Sequence, residues 1–407
     1  MNIKALIKSL LLRKFNTGLL LLQLAITLGL IVNSSILSLD TANKLSVDTG
    51  LKLEETLLVN VSTTSGDYRD YDFARSIMLQ DVAALNNLPG VKAVSISNQW
   101  PIQNGGTNGN VFDIDDPEVA RNDRSLRYVQ YLISDHNIAD AWGLELVEGR
   151  FLTDLDKSTP ERRVTGKKLN VVISESLSKT LHKGQSSIGQ ELNAGFVVGV
   201  VKDVLLNPSS DKDAQHGVYI NSGANNIQYM NGYSLLVEPG YMDNVRKQVA
   251  DTIIGVEPQR DIYSIRTMGE HFENYYADNK GLANLFIMLT VLMLLVTGIS
   301  SFAYARFHMS QQSKYIGIRR ALGAKKSDVI MYVLAENWLI SGLATLFGIG
   351  LMIGLNILLS QYVSITKPDI LLAVVGILIM FVAGTLATWW PAYQTSKIAP
   401  VIATRSI

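Results

Sequence analysis

The residues able to do covalent chemistry are present in this chain but are not spaced for it. Gly166-Lys167-Lys168 comes nearest to a phosphate-binding loop. It lacks both the upstream glycine spacing and the hydroxyl residue with which G-x-x-x-x-G-K-[ST] holds phosphate and magnesium. His136, His182, His216, His271 and His308 are scattered, with no pair at i, i+4 on a helix, and no Ser/His/Asp arrangement is evident. The adjacent Asp135-His136 reads as a surface pair. With no cysteine, the chain can form neither a disulfide nor a thiolate metal site. An active site, a metal, a cofactor of its own and a nucleic-acid partner are therefore not expected.

Two other groups of residues say more. Residues 311–328 read Q-Q-S-K-Y-I-G-I-R-R-A-L-G-A-K-K-S-D. Ile316, Ile318, Ala321, Leu322 and Ala324 give this stretch an apolar side beside Arg319, Arg320, Lys325 and Lys326. The pattern predicts a short amphipathic helix at a membrane surface, with Gly323 in the turn beyond it and Ser327 as a cap. From the residues alone, it could rest on anionic headgroups or dock in a cleft of a cytoplasmic motor. The second group surrounds Glu336, a carboxylate about two turns into an apolar segment, where pairing or an interface is expected more than a proton relay. Gly342, Ala344, Gly348, Gly350 and Gly354 follow it and permit close helix contact, Gly350 and Gly354 forming a G-x-x-x-G pair.

The elements that must carry these groups are membrane spans. Residues 17–39, 282–305 and 370–396 hold no charge, and 329–366 hold only Glu336. Each run exceeds the roughly 20 residues that cross a hydrocarbon core. The first has a basic start, but its apolar run is long for a secretory leader and no cleavage pattern follows, so it reads as a retained anchor. Basic residues are concentrated before the first span, in 306–328 and after the fourth, which places both termini and that loop in the cytoplasm. Residues 40–280 must then lie outside. They hold 23 of the 36 basic and 33 of the 36 acidic residues, so the overall neutrality conceals opposite charges on two sides of a membrane.

Within the outer region two β-α-β units are expected, at 57–97 and 233–265, where alternating strands flank helical stretches at 73–88 and 242–254. Two such units build one split β-α-β sheet with helices on one face. Residues 100–228 read as a second, inserted subdomain, with strands near 128–133, 171–173 and 196–201 and a helix at 175–182. The flanks of the outer region, after the first span and at 271–281, can continue as helices to form a stalk. The expected fold class is thus four transmembrane helices plus an α+β extracytoplasmic domain, a split β-α-β subdomain with an inserted second one. Its parts are 1–39 (N-terminal segment and first span), 40–280 (outer domain and stalk) and 281–407 (three spans with the cytoplasmic loop 306–328).

I-G-I-R-R-A-L-G-A (residues 316–324), followed by a helix containing Glu336, resembles the permease module of the FtsX/MacB family. The tail P-A-Y-Q-T-S-K-I-A-P-V-I-A-T-R is similar to that family's C-terminal pattern. The outer region resembles the MacB-type periplasmic core through L-P-G-V-K-A-V, G-L-E-L-V-E-G-R-F-L-T-D, V-V-I-S-E-S-L-S-K-T-L, I-G-Q-E-L and V-V-G-V-V-K-D-V, in order along the chain. Gly143 and Gly149 in these stretches read as turn formers, 197–201 as a buried strand, and Pro391 as the end or kink of the last span.

The resemblance implies a dimeric type VII ABC permease that is not itself an enzyme. Residues Ile316, Gly317, Ile318, Arg319, Arg320, Ala321, Leu322, Gly323 and Ala324 would couple it to a cytoplasmic ABC ATPase. That ATPase would be a separate polypeptide and would use the ATP and magnesium. Glu336, Gly350 and Gly354 would serve intramembrane pairing or a second permease subunit, the same or paralogous. A periplasmic adaptor, an outer-membrane duct and membrane lipids complete the expected partners in a bacterial inner membrane. Expected cargo is an antibiotic, peptide or other amphipathic molecule taken from the periplasm. The alternative within the family is a transmitter that controls a cell-wall hydrolase or extracts lipoproteins. Tyr315 stands where the family commonly has an acid, which bears on contacts at that position.

Overall fold

The computed structural model describes residues 14–63, 65–115, 124–158, 168–209, 214–222, 232–361 and 369–397. They form two compact units, one holding the residues up to Ser46 and from Tyr276 onward, the other Val47–Tyr275. Helix α1 (Lys14–Leu45) opens the first unit. The second unit runs β1 (Thr56–Thr63), α2 (Tyr71–Asn86), β2 (Val91–Ser97), β3 (Asn108–Gly109), β4 (Val129–Ser134), α3 (Ile138–Trp142), β5 (Leu146–Gly149), β6 (Asn170–Ser174) and α4 (Glu175–His182). It continues through β7 (Glu191–Leu192), β8 (Gly195–Val201), β9 (Gly217–Asn221), β10 (Gly232–Val237), α5 (Met242–Val256), β11 (Arg260–Thr267) and α6 (Met268–Tyr275). The first unit then resumes with α7 (Ala277–Ala321), α8 (Lys326–Leu359) and α9 (Ile370–Ser396).

Helices α1, α7, α8 and α9 are each long and apolar enough to cross a membrane. Helix α1 is the most enclosed, its Leu24, Leu28 and Val32 lying among the other three. Glycines let the backbones approach: a Cβ on Gly348 would lie 2.8 Å from Leu28, and one on Gly376 2.7 Å from Val32. Hydroxyl pairs then join α1 to α7, Thr27 with Thr297 at 2.9 Å and Thr290 donating to Ser34 at 3.1 Å. Outward-facing Leu285, Met288, Leu292, Leu295 and Ile299 leave α7 apolar on its exposed side, as lipid contact requires. Pro391 does not end the last span, contrary to one of the two expectations for it; α9 continues through it to Ser396.

In the outer unit both β-α-β units form as expected. Strands β11-β1-β10-β2 lie side by side, all antiparallel, with α2 and α5 packing on Leu57, Val59, Val94, Ile96 and Leu235. Only one face was expected to be covered, but α3 covers the other. Trp142, with no exposed surface, donates its indole N–H to Ser234 at 3.1 Å across that face. Asp81 on α2 is fully buried and meets the Arg260 guanidinium with both oxygens, while the Tyr233 hydroxyl donates to the same carboxylate. This cluster ties α2 to β10 and β11.

The inserted portion continues the same sheet as β4-β9-β6-β8-β5, with β4–β9 and β6–β8 parallel. Its own core gathers Val129, Val171, Ile173, Leu177, Val197 and Val218. Between the two halves of the sheet the pairing narrows to a single pair, Ser97 with Ser134. Gly143 caps α3 at φ 68°, and Gly149 turns the chain at φ 76°, so both act as turn formers.

Candidate functional site

The basic segment is not a separate short helix. Residues 299–316 contain neither glycine nor proline, so nothing in the local chemistry interrupts the span, and α7 runs for 45 residues to Ala321. Ile316, Gly317 and Ile318 lie in its last turns, Ile316 buried and Ile318 about half exposed. The backbone of Arg319, Arg320 and Ala321 closes the helix; their side chains lie outside the described structure. Leu322 is 82% exposed, and Gly323, at φ 101°, makes the turn that an L side chain resists. Ala324 and Lys325 lead into α8. The cap is supplied by Asp328, whose carboxylate accepts from the Lys325 N–H at 2.9 Å, and not by the expected Ser327.

Glu336 is paired. His308 Nε2 on α7 lies 2.9 Å from Glu336 Oε2 on α8, both side chains 3% exposed, and Tyr304 stacks parallel to the imidazole. No spacing along either helix marks His308 as this partner, because the pair is formed between helices. The signal was available: both residues sit about four turns from Leu322-Gly323, and residues equidistant from a hairpin turn face one another. Gly350 and Gly354 point away from the bundle, with open space where a Cβ would be. Close contacts inside the bundle use Gly348, Gly376 and Gly384 instead.

The outer unit holds a Ser/His/Asp arrangement that the spacing concealed. His182 Nε2 lies 3.1 Å from Asp113, and its Nδ1 lies 2.6 Å from the Ser187 hydroxyl. Ser187 has no exposed surface and is backed by Ser178 at 2.6 Å, so no substrate can reach its oxygen. The three residues brace α4 against the loop that carries Asp113. Asp135-His136 departs from a simple surface pair: His136 is exposed, but Asp135 is half-buried and accepts from Ser95 at 2.6 Å. Among the described residues, no three His, Asp or Glu side chains are placed to hold a metal.

Taken together, these residues give a long rigid helix ending in an exposed apolar turn flanked by cations, with a buried His–Glu pair behind it. Such a turn can be gripped by a protein surface. Residues 19–265 match the MacB-like periplasmic core domain, and residues 287–400 match the FtsX-like permease C-terminal domain. The chain belongs to this family. Among MacB-type relatives, the macrolide export ATP-binding/permease protein MacB of Azoarcus sp. strain BH72 is 23% identical over 401 residues, covering 96% of this chain and 57% of its own length. The pyoverdine export ATP-binding/permease protein PvdT of Pseudomonas fluorescens is 26% identical over 350 residues, covering 81% and 48%. The chain thus spans about half the length of these relatives. The crystallised periplasmic region of MacB from Actinobacillus actinomycetemcomitans aligns with 57% of this chain and 97% of its own, at 15% identity and a TM-score of 0.36.

Proposed function

We propose that this MacB-type chain is the permease of an ABC-type machine in a bacterial inner membrane. A cytoplasmic ATPase grips the turn Arg319–Ala324 and drives conformational change in the extracytoplasmic unit. Cargo is an amphipathic molecule collected outside the inner membrane, in keeping with the macrolide and pyoverdine export named for the relatives. A second permease copy meets the outward Gly350–Gly354 face, and an adaptor and outer-membrane duct carry the cargo on.

The observation that carries this reading is the continuity of α7. Its 45 residues amount to about 68 Å at 1.5 Å per residue, more than twice the roughly 30 Å of a hydrocarbon core. Its basic end belongs on the cytoplasmic side. In the chain, its other end follows the outer unit's last helix after one residue, Tyr276. An unbroken hydrogen-bonded helix transmits axial and rotational displacement where a loop between two helices would absorb it. The His308–Glu336 pair makes α8 move with it.

The chain lacks cysteine, so labels can be placed without background. Cysteines replacing exposed Lys179 on α4 and Lys247 on α5 report the distance between the inserted portion and the split β-α-β sheet. Purified with its ATPase in lipid nanodiscs, the chain should show a nucleotide-dependent change in that distance. Replacing Gln311 and Gln312 by glycine, at about 1 kcal/mol of helix stability each, should keep the ATPase bound and hydrolysing while abolishing the change. A change that persists through the break refutes transmission along α7.

A further inference from the structure

Two segments of the outer unit adjoin membrane helices in the chain: residues 47–53, after α1, and α6, before α7. Both grip the inserted portion at one place. The Thr49 carbonyl accepts from the Leu205 N–H at 2.9 Å in the loop between β8 and β9. Beside it Gly50, at φ 67°, passes so close that a Cβ would lie 2.6 Å from the Asp203 carbonyl. The Asp203 carboxylate accepts from the Ser176 N–H at 2.8 Å, which anchors that loop to the start of α4.

From the other side, α6 holds the linker that leaves β2 for the inserted portion. His271 Nε2 lies 3.0 Å from the Pro101 carbonyl, which can only accept, so this nitrogen carries the proton. The Tyr275 hydroxyl donates to Asn104. Trp100 stands edge-on to His271 at 5.8 Å, with the Arg266 guanidinium over its ring. Burial first, and then Arg266, hold the imidazole below its ordinary range, so it is neutral at neutral pH. The linker is joined to the same loop, because the N–H groups of Ile102 and Gln103 both donate to the Leu206 carbonyl, at 2.9 and 3.3 Å.

Ile102 is the strained member. It is fully buried at φ 60°, where a β-branched residue is a conformational outlier maintained only by surroundings that over-determine it. It lies five residues after Ser97, whose pairing with Ser134 is the single bridge between the two halves of the sheet. The ladder is narrowest beside this strained, doubly gripped linker, while α3, packed on the split sheet through Trp142, holds the chain on the other side of the seam.

We infer that this clasp, with the Thr49-Gly50 segment and His271 gripping the 203–206 loop and the 100–104 linker, is the joint through which the β4-β9-β6-β8-β5 part of the sheet is swung relative to the split β-α-β sheet and the α3 packed on it, Ile102 serving as its pivot. The inference rests on the reading that ATP-driven motion reaches the outer unit. His271 and Gly50 are positioning residues in it and touch no cargo.

The test uses the full chain with its ATPase in nanodiscs and the same labels at 179 and 247. His271→Leu, which removes the donor, and Gly50→Ala, which forces the incoming segment off Asp203, should each lose more than half of the nucleotide-dependent change. His271→Gln, which keeps an N–H donor, should restore it, an outcome that general loosening would not give. The nucleotide-free distance shows whether each variant has folded. Where His271→Leu has not, Tyr275→Phe carries the test, because it removes one hydroxyl and should lower the change in the same direction. If these variants move as the unaltered chain does while the α7 break still abolishes motion, the joint is refuted and the permease reading stands. If the unaltered chain shows no change with nucleotide, both are refuted.

Discussion

Replacing Asp135 by asparagine should remove a pH dependence from the stability of the outer unit. Asp135 follows β4 beside the single Ser97–Ser134 bridge, where it accepts from the Ser95 hydroxyl at 2.6 Å and the Asn137 N–H at 3.2 Å. Burial pushes its carboxyl up from 3.8 to about 6, outweighing the opposing effects of Ser95, His136 and those amides. Between these values the folded chain keeps a proton that the unfolded chain has released. The native state therefore binds more protons, and stability falls as pH rises through that window. The displacement corresponds to about 3 kcal/mol, absent below the unfolded value and fully expressed above about pH 6. Asparagine keeps the acceptor oxygen and cannot ionise. Urea unfolding followed by tryptophan fluorescence, at about pH 4 and about pH 7.5, should show the difference between variant and parent shifting by about 2.5 kcal/mol in the variant's favour, the remainder being already expressed at the lower pH. The shift is the readout, since any constant cost of the amide cancels. Parallel pH profiles would refute the assignment of a buried, proton-holding carboxyl.

Two further outcomes follow from packing. Arg260→Leu should cost about 3–5 kcal/mol by leaving the Asp81 carboxylate buried without its counter-charge, whereas adding Asp81→Leu should recover much of that loss; hydrogen exchange in α2 and β11 reads both. Gly348→Leu should destabilise the membrane unit, because its Cβ position is already 2.8 Å from Leu28. Gly350→Leu with Gly354→Leu should leave the melting temperature unchanged and weaken self-association, measured by crosslinking in nanodiscs.

Much of the architecture could be read from the chain where the governing physics is local. Four spans follow from charge-free runs because lipid tolerates no substitute for apolar length, and Glu336 announced a partner because an unpaired carboxylate there is too costly. The β-α-β units at 57–97 and 233–265 were legible because alternation and helical spacing are properties of neighbouring residues. What was not legible depends on long-range placement. Nothing in the pattern around Trp142 marks it, and only the folded chain puts it on Ser234 across the second face of the sheet. Asp113, His182 and Ser187 converge from separate loops, with nothing in their spacing to mark it. His308 lay within reach of reasoning, because it and Glu336 stand at equal distances from the turn at Leu322-Gly323, although the pairing is between helices and no spacing along one helix marks it.

The central claim is that the turn after α7 is seated in a cytoplasmic ATPase. A photoreactive crosslinker on a cysteine replacing exposed Leu322, in membranes from cells making the chain at native level, tests it directly. The expected adduct is an ABC ATPase, and it should disappear when Arg319 and Arg320 are replaced by alanine. A crosslinker that captures lipid alone, or an ATPase adduct indifferent to both arginines, would contradict the claim.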